Sequence, residues 1–155
     1  MGGGSSTSHC SAPRKGGNWT STRWSARSGP GRAYLLCNPH NPTGRVFSHA
    51  DLERVAVLAR RYGVVVVSDE NHAPLTLAGA THTPFVSLGE NVVPRAAIVI
   101  SAAKAWNVAG LKCAVVVAGS AEMRARLATL PAEVQTRAGH LGVLAAIAAF
   151  REGQP

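Results

Sequence analysis

Lys104, Asp69 and Asn41 are the residues of this sequence whose types and settings point to chemistry. A neutral lysine amine attacks carbonyl carbon and forms an imine. A carboxylate can hold a proton on a ring nitrogen, and a carboxamide N–H can donate to a phenolic oxygen. Each residue also has an ordinary reading: Lys104 as a surface lysine, Asp69 as a cap for the next segment, Asn41 as a turn residue. Position separates them from that background, because each follows closely on a short apolar run. Lys104 lies between Ser101-Ala-Ala and Ala105-Trp106. Partial burial there would favour its neutral, nucleophilic form.

The elements that carry these residues are legible. Ala33–Cys37 is a short apolar run that stops at Asn38-Pro39, which predicts a buried strand. Asn38-Pro-His-Asn-Pro-Thr-Gly44 follows as a loop of fixed shape, since proline cannot continue a strand and each preceding Asn is held extended. Ser48-His-Ala-Asp51 reads as a capping box, with Asp in the usual place of Glu. Leu52, Val55 and Leu58 then recur at helical spacing, Arg60 and Arg61 suit the helix C-terminus, and Gly63 is a stop. Val64–Val67 predicts a second buried strand, ending at Ser68-Asp69-Glu70. Strand, helix and strand in about 35 residues form a βαβ unit, so these two strands should be parallel.

Residues 71–95 read as a long loop with Pro74, Gly79, Pro84, Gly89 and Pro94, of the length usually kept for function. Ala96–Ile100 predicts a third strand and Cys113–Val117 a fourth. Too few residues and no helix separate these two, so the fourth should run antiparallel. Helices are expected at about 121–130, capped by Ser120, and at about 137–151, the latter presenting Leu141, Leu144, Ala148 and Arg151 along one stripe.

Open α/β sheets bind ligands beyond the carboxyl ends of their strands. The pattern therefore brings an amide, a carboxylate and an amine to one crevice. Those are the protein groups that pyridoxal phosphate needs: an imine-forming lysine, a partner for the pyridinium nitrogen and a donor to the phenolic oxygen.

The wording of the motifs carries a family resemblance. Asn41-Pro-Thr-Gly44, Ser68-Asp-Glu-Asn-His72 and Ser101-Ala-Ala-Lys-Ala-Trp-Asn107 resemble fold-type I pyridoxal-phosphate enzymes of the class I/II aminotransferase family. Asn38-Pro-His-Asn-Pro-Thr-Gly44, Asp69-Glu-x-His-Ala73, Lys104-Ala-Trp-Asn-Val-Ala-Gly-Leu-Lys112 and Gly139-His-Leu-Gly-Val143 are closer to the cystathionine β-lyase-like, or cysteine-S-conjugate β-lyase, branch. The resemblance runs from about Gly31 to Gly153. It implies part of the three-layer α/β/α large domain of fold-type I enzymes, with a mostly parallel sheet and a last antiparallel strand. It implies Lys104 as the Schiff-base lysine and α-proton base, Asp69 on the pyridinium nitrogen, and Asn41 on the phenolic oxygen. His72 stands where many aminotransferases carry a tyrosine that contacts the same oxygen. Ser101 and Lys112 would bind the cofactor phosphate, Lys112 replacing the family's usual arginine, whose bidentate fork it lacks. Asn71 is a further departure, since the branch has an aliphatic residue there.

The implied reaction is carbon–sulfur β-elimination from cystathionine or cysteine S-conjugates, giving thiol, pyruvate and ammonia. Amino-group transfer is the alternative, and the shared residues do not separate the two. The resemblance also implies a homodimer for the complete enzyme and a small amino-acid substrate. The family's C-terminal small domain has no counterpart here. Its phosphate-binding turn and ring-stacking aromatic have none in residues 1–32. The expectation is thus a partial cofactor-binding domain over 33–155 behind a disordered or non-family segment, 1–32, with weak or no activity for the chain alone. A non-catalytic truncated remnant is the second alternative.

Composition narrows the rivals. The net charge of +8 suggests a polyanion partner. Residues 1–32 hold five basic residues, no acid and no Val, Leu or Ile, whereas 33–155 hold 11 basic residues and all eight acids. The excess charge thus sits mostly outside the apolar domain, which argues against a nucleic-acid module. No apolar run spans a membrane and no secretory signal opens the chain. Three scattered cysteines, Cys10, Cys37 and Cys113, suit a cytoplasmic setting. A zinc site from Cys37, His40 and His72 or His82 lacks the second ligand pair of a structural site, so no metal is expected.

Overall fold

The computed structural model describes residues 31–154. The expectation for 1–32 therefore lies, apart from Gly31 and Arg32, outside the described residues. Four strands form one sheet in the order β1-β2-β3-β4. β1 (Ala33–Cys37), β2 (Val65–Asp69) and β3 (Ala96–Ile100) are parallel neighbours, and β4 (Val115–Ala118) is antiparallel to β3. The fold is α/β with a mostly parallel sheet and one reversed strand, as the connection lengths require.

Helix α1 (His49–Tyr62) is bounded by the residues that the sequence marks. Ser48 Oγ accepts a hydrogen bond from the Asp51 N–H at 3.2 Å. The return half of the capping box is replaced, because the Asp51 carboxylate takes the Ser48 hydroxyl at 3.0 Å and lies 3.5 Å from Arg45. Gly63 ends the helix in the left-handed region, at φ 64°, where a side chain would be strained. Leu52, Val55, Ala56 and Ala59 bury against Tyr34, Leu36, Val66, Ala96 and Ile98. In-register pairing puts those strand residues on one face of the sheet.

The segment 71–95 is more ordered than its composition suggests. It contains 3-10 turns at Ala73–Leu75 and Phe85–Leu88, and it inserts Phe85 and Val93 into the same core. The other sheet face is covered less by the described residues, and Leu35 remains 56% exposed there.

Two strand boundaries differ from the sequence expectation. β2 runs on through Ser68 and Asp69, because Leu36 and Cys37 on one side and Ile98 and Val99 on the other pair with them. β4 begins later, since Lys112 takes a left-handed conformation and the Cys113 carbonyl is occupied by the Ser101 hydroxyl. After β4 come α2 (Ala121–Ala128), capped by Ser120, the single-turn α3 (Ala132–Gln135) and α4 (His140–Glu152).

The expected stripe lies on the exposed side of α4. Gly142, Ala146 and Ala149 face inward, and Leu141 and Leu144 are exposed, Leu141 at 71%. Close approach selects small residues here. A Cβ on Gly142 would collide with the Leu111 carbonyl oxygen, and one on Gly153 with the Trp106 indole nitrogen.

Because the Ser48 hydroxyl satisfies an otherwise orphaned helix donor, Ser48→Ala should cost about 1 kcal/mol. The urea unfolding midpoint measures this, and an unchanged midpoint would show that the cap contributes nothing.

Candidate functional site

The carboxyl ends of β1, β2 and β3 lie side by side, with Cys37, Asp69 and Val99 in register across them. Asp69 is the last residue of the middle strand, half-buried, on the face opposite α1. Its backbone carbonyl accepts from the Asn38 N–H at 3.0 Å, and its carboxylate Oδ1 from the Asn71 N–H at 3.2 Å. No other bond to this carboxylate occurs among the described residues.

Asn41 sits in the exposed loop after β1. Two cis prolyl bonds, Asn38-Pro39 and Asn41-Pro42, shape that loop, and the pair His40 N–H to Arg45 C=O closes it at 2.8 Å. The Asn41 N–H points at the Cys37 sulfur at 3.5 Å. Asn41 and His72 border the same open cavity of about 520 Å³, together with Pro39, Pro42, Leu75 and Thr76. His72 Nδ1 is buried and has no hydrogen-bond partner among the described residues. Asn71 Oδ1 is likewise buried without a partner among them. Orphaned polar atoms of this kind are costly unless a ligand or water meets them.

Ser101 and Lys104 follow β3. Ser101 is 6% exposed, donates its hydroxyl to the Cys113 carbonyl at 2.6 Å and accepts from the Ala103 N–H at 3.1 Å. Its side chain thus ties the lysine-bearing turn to the start of β4. Lys104 itself is exposed. This corrects the expectation of a partly buried amine: the described residues pack against Ala102 and Trp106 on either side of it but not over it.

Lys112 borders a different cavity, lined by Val116, Leu127 and Val134 between β4 and the following helices. The structure therefore brings Asn41 and His72 to one cavity, places Asp69 and the Lys104 turn along the same sheet edge, and sets Lys112 apart.

Of the residues weighed for zinc, Cys37, His40 and His82 are otherwise engaged. His40 Nδ1 lies 3.0 Å from Thr43 Oγ1, and His82 Nε2 lies 3.1 Å from Glu70 Oε2. No group of three His, Cys, Asp or Glu side chains that could hold a metal ion occurs among the described residues. Nor is any described helix long and apolar enough to cross a membrane.

A connection among three residues of this neighbourhood escaped the sequence reading. Buried Asn38 and Glu70 and half-buried His82 form a hydrogen-bonded set directly behind the strand ends. The adjacency of Glu70 to Asp69 was the only signal for it.

A family model described as "Aminotransferase class I and II" matches residues 26–153. The chain belongs to this family. A Mycobacterium leprae protein provisionally named cystathionine β-lyase is 54% identical over 123 residues, covering 78% of this chain and 29% of that protein. Cystathionine β-lyase PatB of Bacillus subtilis is 37% identical, with 79% of this chain and 32% of that protein aligned. Among solved structures, one from Corynebacterium diphtheriae, provisionally described as a PLP-dependent β-cystathionase, superposes with a TM-score of 0.77 at 34% identity. That match covers 86% of this chain and 34% of the other. The chain thus spans about a third of the length of the relatives it matches.

In this class I and II family member, the lysine turn is held from below by α4. Trp106 meets Phe150 edge to face at 5.3 Å, and Ala102 packs with Ala146 and Ala149. Gly142 lets the helix backbone approach Leu111 and Cys113. Gly142→Ala should therefore destabilise by about 1–3 kcal/mol and hasten proteolysis within 101–114. Urea unfolding and limited proteolysis check this, and parental behaviour in both would mean that α4 does not hold the turn.

Proposed function

We propose that this chain carries part of the cofactor-binding core of a pyridoxal-phosphate-dependent carbon–sulfur β-lyase. The substrates in this reading are cystathionine or cysteine S-conjugates. The observation that carries it is the convergence of Asp69, Asn41, His72 and the Lys104 turn at the carboxyl edge of three parallel strands. The donor set fits the cofactor: among the described residues it comprises a half-buried carboxylate with one hydrogen bond, an imidazole with an unpartnered nitrogen, an exposed amide and an exposed amine. The relatives named as cystathionine β-lyases support the choice of reaction.

When bound, pyridoxal phosphate supplies a ring that takes up the electron pair left by α-proton removal. Lys104 would hold the group and, once displaced by the substrate's amino group, would take the α-proton as a free amine. Asp69 would hold the proton on the pyridine nitrogen through a charge-assisted hydrogen bond. Asn41 would donate from its amide to the phenolic oxygen, and the His72 imidazole would serve the same oxygen. The overall change in this reading is loss of a thiol from the β-carbon and addition of water, giving pyruvate and ammonia.

Ser101 has its hydroxyl proton committed to Cys113, so we assign it first to holding the Lys104 turn. Contact with the phosphate would use its remaining lone pair or require that bond to break. Lys112 borders another cavity and is left out of the site. The same four groups would serve amino-group transfer, and the products distinguish the two: pyruvate from elimination, a second amino acid from transfer. The reading includes a cytoplasmic enzyme that is a homodimer when complete. The free Cys37 and Cys113 thiols suit a reducing compartment.

Incubation of the chain with pyridoxal phosphate should give a visible absorption band that borohydride discharges with covalent retention of the cofactor at Lys104. Lys104→Ala should abolish it. Asp69→Ala should weaken cofactor binding about tenfold or more, the worth of one charge-assisted hydrogen bond. Absence of the band in the parent chain, or its persistence in Lys104→Ala, would sink the proposal.

A further inference from the structure

Behind the strand ends lies a polar set that the reaction above does not use. Glu70, directly after Asp69, is 2% exposed. Its Oε1 accepts from the Phe85 N–H at 2.8 Å, and its Oε2 from His82 Nε2 at 3.1 Å. Asn38, at the exit of β1, is fully buried. Its Oδ1 accepts from the Phe47 N–H at 2.9 Å, which fixes the amide so that Nδ2 faces His82 Nδ1 at 3.5 Å. These bonds are satisfied together by an imidazole that carries its proton on Nε2 and accepts at Nδ1.

The connectivity is unusual. Asn38 lies three residues before Asn41, and Glu70 lies between Asp69 and His72. His82 comes from the separate segment 71–95 and touches both. Beyond the strand pairing, a backbone bond from the Asn38 N–H to the Asp69 carbonyl joins the two exits. A core filler would not need a side chain that donates to one exit and accepts from the other. The set also explains why a polar-rich segment is drawn inward: the buried carboxylate needs donors, and the segment supplies them from His82 and the Phe85 backbone.

We propose that His82 is a positioning residue. By bridging Glu70 and Asn38 it locks the exit of β1 to the exit of β2, and so sets where Asn41 stands relative to Asp69 and His72 across the cofactor ring. This inference rests on the proposed cofactor site. Its own content is the coupling of the two exits.

The test compares His82→Leu, which keeps bulk without hydrogen bonds, with His82→Gln, whose amide can donate to Glu70 and accept from Asn38. Two readouts are made on the full chain. In the cofactor-free chain, amide hydrogen exchange at Phe47 and Phe85 should quicken roughly tenfold in His82→Leu, as expected for loss of a hydrogen bond. Val66, in the core of β2, should keep its parental rate. With pyridoxal phosphate added, His82→Leu should bind about tenfold more weakly and shift the absorption maximum of the visible band. His82→Gln should restore both readouts toward the parent. Parental exchange at Phe47 and Phe85, or a parental band and affinity in His82→Leu, would overturn the inference. So would equal acceleration at Val66, which would make His82 a residue of the fold at large. If the parent chain gives no band, the proposed function fails instead, and the exchange arm alone decides whether His82 couples the exits.

Discussion

Everything at the site depends on the parallel, in-register pairing of three short strands. Because Cys37, Asp69 and Val99 lie opposite one another, the chain leaves β1, β2 and β3 at a single edge. Parallel strands demand a crossover between each pair, and each crossover returns the chain to the far end of the sheet before the next strand begins. The chemistry-bearing residues therefore occupy the exits, and the packing residues fill the returns. Helix α1 and the Phe85 segment serve as those returns, and both bury their apolar residues on the same sheet face. Asp69 points to the other face, which leaves its carboxylate clear of that core.

The reversal at β4 has a different origin. Between Ile100 and Val115 the chain makes the Lys104 turn, a 3-10 turn at Ala109–Leu111 and a left-handed residue at Lys112. That stretch is too short to carry a helix back along the sheet, so β4 returns beside β3. The lysine turn is thereby pinned at both ends to adjacent strands, and Ser101 closes it through the Cys113 carbonyl. Support from below comes from α4, some 40 residues later in sequence.

Local features of the sequence carried the elements well. β3 was readable because an apolar run of five is bracketed by Pro94-Arg95 and a polar exit. The start and stop of α1 were readable because Ser48 and Gly63 have distinct backbone roles. Features that depend on distant partners were not readable. Nothing periodic marks His82 as the partner of a carboxylate 12 residues away. The extension of β2 through Asp69 depends on what β1 and β3 offer it. The buried face of α4 was not readable for a related reason. That helix is apolar nearly all round, so hydrophobic spacing could not choose a face, and the close approach of Leu111 chose the glycine and alanines. The motif residues Asn41, Asp69 and Lys104 stood out because polar groups at the ends of apolar strands are few, although the exposure of Lys104 depends on what packs over it.

The inward glycine and alanines of α4 leave its bulky residues, Leu141, Leu144, Ile147 and Phe150, on the outside. Such a helix reads as a spacer between two layers, with a smooth side for one and a knobbed side for the other. The consequence concerns the order of assembly. The smooth side docks at once, on residues made shortly before it. The knobbed side is left uncovered by the described residues. Once Phe150 is made, these large aliphatic and aromatic side chains face water, the kind of surface through which neighbouring nascent chains cross-associate.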